Sequence, residues 1–134
     1  MTENILSTVI DFNTTLQELM DQLFAATNDK ELDINKELIR KAISANKILL
    51  IEQYCIHILK FSELIYKRDE AVIDSLNVND INNKEGGDDE TLDKILKLKN
   101  IWQYLTDDNK ACVFDYLEVL TDKATEYFMV KFKK

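Results

Sequence analysis

Apolar residues cover most of the circumference of a helix predicted over residues 47–67. With successive residues turned by about 100°, five polar side chains fall within one arc of about 100°, namely Glu52, Gln53, Lys60, Glu63 and Lys67, and even this arc is interrupted by Leu49 and Ile56. Such a helix must be covered by other elements or lie in a membrane. Because Glu52, His57 and Lys60 interrupt the run of ~18 apolar residues that a membrane span needs, the pattern predicts a buried central helix.

Two long amphipathic helices are predicted at the ends of the chain. In the first, over residues 3–26, apolar side chains recur in steps of three and four residues, at Ile5, Val9, Phe12, Leu16, Leu19, Leu23 and Ala26. In the last, which follows an N-cap at Thr106 and runs to about Phe132, the same spacing gives the inward stripe Val113, Leu117, Leu120, Ala124 and Tyr127. Stripes of this kind, widened by further apolar neighbours, favour packing inside a bundle over a free coiled coil.

Three further helices complete the predicted bundle. One covers residues 33–45, with Ile34, Leu38, Ala42 and Ala45 facing inward and Ile39 and Ile43 beside them. A short one lies within 68–76, and another covers 91–105. The chain has no Pro and two Gly, the residues that usually form hairpins and tight turns. The sequence therefore predicts an all-α protein, a single-domain bundle of five or six helices over residues 1–134.

Residues 67–93 differ in composition from the rest of the chain. They hold nine acidic and three basic residues and so account for most of the formal net charge of −8. The part over about 77–90, rich in Asn, Asp and Gly, is predicted to be a mobile acidic loop. The sequence does not match a calcium-binding EF-hand loop, which needs oxygen ligands at positions 1 and 3 and Gly at position 6. If Gly86 is placed at position 6, position 1 is Ile81, and if Gly87 is placed there, position 3 is Lys84.

The overall charge excludes one large class of partners. A chain with net charge −8 repels phosphate backbones, and its 15 Lys against 2 Arg lack the bidentate forks that nucleic-acid recognition favours. No nucleic-acid partner is therefore expected.

Candidate catalytic and metal-binding groups are few. Cys55 and His57 lie on different faces of their helix, and with Cys112 they are the only Cys and His residues of the chain, fewer than the four ligands of a structural zinc site. No phosphate-binding loop, nucleophile elbow or zinc-protease motif occurs. We expect no enzyme activity, cofactor or metal, and we expect unpaired cysteines in a reducing compartment.

Two blocks of sequence resemble small helical proteins of unknown activity from nucleocytoplasmic large DNA viruses, the giant viruses. These blocks are Asp11-Phe12-Asn13 with Leu16, Glu18-Leu19 and Asp21-Gln22-Leu23-Phe24, and Leu98 to Leu105 leading through Asn109-Lys110 to Tyr116-Leu117-Glu118-Val119-Leu120. The Phe-Pro turn that ends the first helix in that group is missing here, where Phe24 runs into Ala25. The resemblance implies a viral origin and replication in the host cytoplasm, and it transfers no catalytic residue.

These observations favour a non-enzymatic, virus-encoded helical protein that acts through protein–protein contacts in the host cytoplasm or the virion, where it could serve in assembly. A Bcl-2-like inhibitor of host cell death, which holds a partner helix in a groove, is the alternative, although no Asn-Trp-Gly-Arg motif is present. An enzyme with an unfamiliar helical site is a third class.

A partner-binding surface is predicted on the last helix. Phe114 and Phe132 lie about 100° and Met129 about 160° from the centre of its inward stripe, and aromatic and Met side chains outside a core stripe are common at protein contacts. The surface would bind a protein partner or a second copy of the chain. The opposing interpretation is a second layer of the same core with a frayed end. Stable membrane insertion is not expected from one short turn and the lysines near it.

Overall fold

The computed structural model of the protein describes residues 3–75 and 101–132, with side chains over 5–73 and 101–131. Within these ranges the chain forms six α-helices and no strand: α1 (Glu3–Thr27), α2 (Lys30–Ala45), α3 (Leu49–His57), α4 (Ser62–Tyr66), α5 (Ala71–Ser75) and α6 (Asp107–Phe132). Short 3₁₀ turns lie at Leu59–Phe61 and Trp102–Tyr104. The buried side chains form one core, and the predicted all-α bundle is confirmed.

The antiparallel pair of α1 and α6 is the largest helix contact of the bundle. Thr8 bonds Glu126 at 3.2 Å near one end of the pair, whereas Leu23 and Cys112 line the same small cavity near the other. The stripes predicted for the two helices are buried except at Ile5, which is half-buried, and Ala26, which is exposed. Ala26 was predicted to face inward, but it lies opposite the first turn of α6, where the contact between the helices ends.

The second helix begins earlier and faces differently than predicted. The side chain of Asp29 accepts a hydrogen bond from the backbone N–H of Glu31 at 2.9 Å, so that α2 begins at Lys30 rather than 33. Leu32 and Ile39 are its buried residues, whereas Ile34 is 62% exposed. The inward positions predicted for Ile34 and Ala45 are therefore wrong, because Ile34 lies about 200° around the helix from Leu32. Ala42 of the predicted stripe and Ile43 beside it do pack against the core.

The stretch predicted as one central helix is divided. The helix α3 ends at His57, a 3₁₀ turn follows, and α4 starts at Ser62. The five buried residues of this stretch are Leu50, Ile51, Tyr54, Ile58 and Ile65, whereas Ile56 is 66% exposed. A straight helix apolar on all sides would need neighbours on all sides. The break instead turns α4 onto α6 and leaves one face of α3 in solvent.

Tyr54 joins three helices inside the core. Its side chain is fully buried, and its ring packs edge-on against Phe12 of α1, with centroids 5.3 Å apart. Its hydroxyl donates to the carbonyl oxygen of Leu117 at 3.2 Å and lies 2.7 Å from the hydroxyl of Thr121. Burial raises the pKa of Tyr54, so its phenol stays protonated and both polar partners in α6 are satisfied.

Arg68 fastens the segment after α4 to α6. Its backbone lies in the left-handed region, with φ of 56°, which costs a non-glycine residue roughly 1–2 kcal/mol. Its guanidinium donates from Nε to Glu118 at 2.9 Å, from Nη2 to Asp115 at 2.6 Å and from Nη1 to the carbonyl oxygen of Ala111 at 3.3 Å. These three bonds explain why Arg occupies a position whose backbone conformation favours Gly.

Several predictions of helix ends are confirmed, and two predictions fall outside the described residues. The short helix expected within 68–76 is α5, and the hydroxyl of Thr106 accepts from the backbone N–H of Asn109 at 3.1 Å, which caps α6 as predicted. The mobile acidic loop predicted at 77–90 and most of the helix predicted over 91–105 lie outside the described ranges.

Replacing Tyr54 by Phe should lower the free energy of unfolding by about 1–2 kcal/mol, because the buried hydroxyl of Thr121 and the carbonyl of Leu117 lose a partner. The double variant Tyr54→Phe/Thr121→Val should be less destabilised than the sum of the two single variants, because it removes both hydroxyls of the bond. Urea denaturation of the four proteins measures this coupling. Strictly additive effects would mean that the bond contributes nothing.

Candidate functional site

Phe114 belongs to the core and not to an exposed partner surface, so this part of the predicted surface is wrong. The side chain is 4% exposed and packs edge-on against Trp102, with ring centroids 5.7 Å apart. The 3₁₀ turn that carries Trp102 covers this flank of α6, which a stripe drawn from α6 alone leaves open. Phe114 also lies about 22 Å from Met129 along the axis, at about 1.5 Å per residue, too far for one compact site.

The C-terminal turns of α6 are exposed and apolar. Met129 is 52% exposed and Val130 is 55% exposed, and Phe128 before them is exposed as well. The side chain of Phe132, the third residue of the predicted surface, lies outside the described side chains. Met129 is thus placed in solvent, as a partner-binding residue must be.

A groove separates these turns from the start of α1. It has a volume of about 560 Å³, is open to solvent, and is lined by Ile5, Ser7, Thr8, Asp11, Lys123, Thr125, Glu126, Met129 and Val130. We call it the outer groove. It exists because each helix continues for more than one turn past its last fully buried residue, Val9 in α1 and Tyr127 in α6.

Acidic groups dominate the charge beside the outer groove. Lys123 lies 3.5 Å from Asp11, so these two charges offset each other. Glu126 accepts instead from the hydroxyl of Thr8, and Asp122 accepts from the hydroxyl of Tyr66. Because hydroxyl donors are neutral, they do not offset the charges of Asp122 and Glu126, and neither carboxylate has an ion pair among the described residues.

A three-residue cluster holds the end of α6 against α3. The Oε2 atom of Glu52 accepts from the Tyr127 hydroxyl and from Lys131 Nζ, both at 2.7 Å. The bond from Lys131 and then that from Tyr127 lower the pKa of Glu52, while burial raises the pKa of Tyr127. The cluster fixes the rotation of the last turns of α6, and hence the direction in which Met129 and Val130 point.

The surroundings of the two cysteines are those of packing residues and not of reactive thiols. Both are free, as predicted, and both are half-buried. Cys55 Sγ lies 3.5 Å from the carbonyl oxygen of Ala124, and burial raises the pKa of this thiol to about 11, so it is not a reactive thiolate near neutral pH. Over residues 5–73 and 101–131, no group of three or more His, Cys, Asp or Glu is placed to hold a metal ion.

Sequence reasoning found Met129 but missed most of the outer groove. Ile5 was assigned to the core stripe of α1, and Val130 was not singled out. The sequence did indicate that the acidic residues share one face of α6 with apolar ones. This face is formed by residues spaced three or four positions apart, namely Val119, Asp122, Glu126 and Met129. Nothing in the sequence showed that this face lies beside the start of α1.

Comparisons with protein-family models, with curated proteins and with solved structures find no match to this chain. Among the described residues, no helix has both the length and the apolar character of a membrane span.

The Glu52 cluster should make stability depend on pH in the acidic range. Because the pKa of Glu52 is lowered from 4.5 in the folded protein, its carboxylate stabilises the fold above pH 4.5, and this contribution is lost as the pH falls through the folded pKa. The difference in unfolding free energy between wild type and Glu52→Gln should therefore be largest near neutral pH and should shrink toward about pH 3. Urea denaturation at several pH values measures it.

Glu63 provides the control for this experiment. Its side chain is 82% exposed and its contact with Lys67, at 3.7 Å, is long. The pH dependence of Glu63→Gln should parallel that of wild type. A Glu52→Gln protein that also parallels wild type at every pH would show that the cluster does not stabilise the end of α6.

Proposed function

We propose that the protein acts without catalysis, through contacts with other proteins made at the outer groove and the exposed end of α6. The observation that carries this proposal is that the exposed apolar side chains of Met129 and Val130 line the outer groove together with the half-buried Ile5. Single exposed apolar residues are normal, but a contiguous group beside a groove is typical of an interaction surface.

The shape of the outer groove supports a protein partner over a small molecule. Small-molecule sites enclose most of their ligand's surface, whereas this groove is open and lies between two helices on the outside of the bundle. Its walls combine apolar groups at Ile5, Met129 and Val130 with hydroxyl and charged groups at the rim. Mixed walls of this kind suit a moderate-sized, partly polar protein contact.

The Bcl-2-like alternative receives no specific support from this surface. A groove that holds the partner helix of a Bcl-2-like protein needs a separate apolar pocket for each anchor at positions i, i+3 or i+4, and i+7, which is more than the one or two apolar residues that fit at one end of the outer groove. The outer groove has Ser7, Thr8 and Asp11 along its α1 side.

The resemblance of both ends of the chain to giant-virus proteins supports a finer form of the proposal. In that form the protein is virus-encoded, acts in the host cytoplasm or the virion, and contributes to particle assembly. The contact surface described above is compatible with such a role, since an assembly component acts by binding other proteins.

A photoreactive amino acid at position 130 should form covalent adducts with specific proteins in the cells that naturally make this protein. Position 130 borders the outer groove and is exposed, so a bound partner would lie within reach of the probe. Adding Met129→Ser should reduce the adduct yield without lowering the melting temperature, because Met129 is half-exposed. Adducts are measured on denaturing gels and identified by mass spectrometry.

Position 34 is the matched control. Ile34 is an equally exposed β-branched residue on α2, which does not line the outer groove. The same probe there should give no specific adduct. Equal adducts from both positions, or none from position 130 above background, would contradict the proposed function.

The viral form of the proposal has its own test. Mass spectrometry of purified particles of the virus that encodes the protein should detect it in amounts comparable to minor structural proteins, protected from added protease. Absence from the particles, together with specific adducts at position 130 in infected cells, would contradict the virion role and leave the contact function in place.

A further inference from the structure

We infer that the outer groove binds a basic amphipathic helix of a partner protein, with an apolar side chain between Ile5 and Val130 and Lys or Arg side chains against Asp122 and Glu126. This inference rests on the proposed function and adds the chemical class of the partner. Three observations carry it: the elements that form the groove, its apolar walls, and the charge beside it.

The groove is built from helices, which limits how a partner can bind. An extended peptide that adds to a sheet needs unpaired backbone groups, and neither α1 nor α6 offers them along its length. A helix, by contrast, can lay its side chains between two others. The lining residues cover Ile5 to Asp11 in α1 and Lys123 to Val130 in α6, about 10 Å of axis, so the groove takes roughly two turns of a helix.

The apolar walls identify which part of the partner enters. Ile5, Met129 and Val130 line one end of the groove, and Met adapts its shape to different apolar side chains. Two turns of an amphipathic helix present apolar residues at positions i and i+3 or i+4 on one side. One or two such residues can therefore be buried here.

The acidic residues identify the charge of the partner. Asp122 and Glu126 lie on the same face of α6 as Met129, and within residues 5–73 and 101–131 their hydrogen-bond donors are the hydroxyl groups of Tyr66 and Thr8. A helix whose apolar side faces the groove places its flanking side chains over this face. Lys or Arg at those flanks would form ion pairs that the protein itself leaves open.

The same charges disfavour a second copy as the occupant. A symmetric contact would bring the surfaces around Asp122 and Glu126 of the two copies close together, and like charges in an interface are strongly unfavourable. The formal net charge of −8 adds to this repulsion. A partner of opposite charge gains from both effects.

Two synthetic helical peptides test the inference directly. Both carry Leu and Ile on one face, and the other face is Lys in one peptide and Glu in the second. Fluorescence anisotropy should show that the full-length protein binds the Lys peptide at least tenfold more tightly than the Glu peptide at low salt. Raising the salt to about 0.5 M should weaken binding of the Lys peptide, since screening shortens the range of exposed charges.

Variants separate the acidic and the apolar parts of the site. Asp122→Asn/Glu126→Gln should weaken binding of the Lys peptide about tenfold, the effect expected when two exposed charge pairs are lost. Met129→Ser/Val130→Ser should weaken binding of both peptides. Two control variants lie on α2: Asp33→Asn/Glu37→Gln removes the same charge, and Ile34→Ser removes an exposed apolar side chain. Both should bind the peptides as wild type does. Circular dichroism verifies the fold of every variant.

Three outcomes would overturn the inference. One is equal affinity for the two peptides, and another is an unchanged affinity of Asp122→Asn/Glu126→Gln for the Lys peptide. The third is a concentration-dependent dimer in sedimentation experiments that Met129→Ser abolishes, which would make a second copy the occupant. If these outcomes occur while position 130 still gives specific adducts in cells, the proposed function stands and only the class of partner is wrong.

Discussion

The buried side chain of Tyr54 constrains the packing of α1, α3 and α6 against one another. A phenol removed from water needs partners, and both of them lie on α6, at the carbonyl of Leu117 and the hydroxyl of Thr121. The ring also meets Phe12 of α1 edge-on. Any shift of α3 by a turn would leave the hydroxyl unpaired in an apolar core, so this one side chain sets the register of α3 on α6 and its distance from α1.

The register of α3 then determines the geometry of the outer groove. With Tyr54 fixed, Glu52 lies one half-turn earlier and reaches Tyr127 and Lys131 near the end of α6. The last turns of α6 are thereby held at a defined rotation, although no helix covers Met129 or Val130. Holding the helix end in this way favours binding, because a frayed end would lose conformational entropy when a partner binds.

How far the sequence predicts this structure depends on how many neighbours each helix has. The stripes of α1 and α6 were predicted because each of these helices packs with one main face, which a single period of apolar residues reveals. Phe114 was misplaced because a second element, the turn carrying Trp102, covers its flank, and a helical projection holds no information on neighbours.

The break after His57 was missed because it contains no Pro or Gly and results from the turn of α4 onto α6. The acidic residues of the outer groove were visible as a spacing, but their role depends on Thr8 and Tyr66, which only the fold brings to them.

The pairing of the first helix with the last has a consequence for synthesis of the chain. The contact of Thr8 with Glu126 joins residues 118 positions apart. At translation rates of about 5–20 residues per second, α1 leaves the ribosome roughly 6 to 24 seconds before the part of α6 that covers it. Until then, α2 and α3 are the described helices that contact α1 besides α6, and part of its apolar stripe stays uncovered, as in the segments that chaperones bind. Completion of α6 is therefore the step that ends this exposure and commits the chain to its final form.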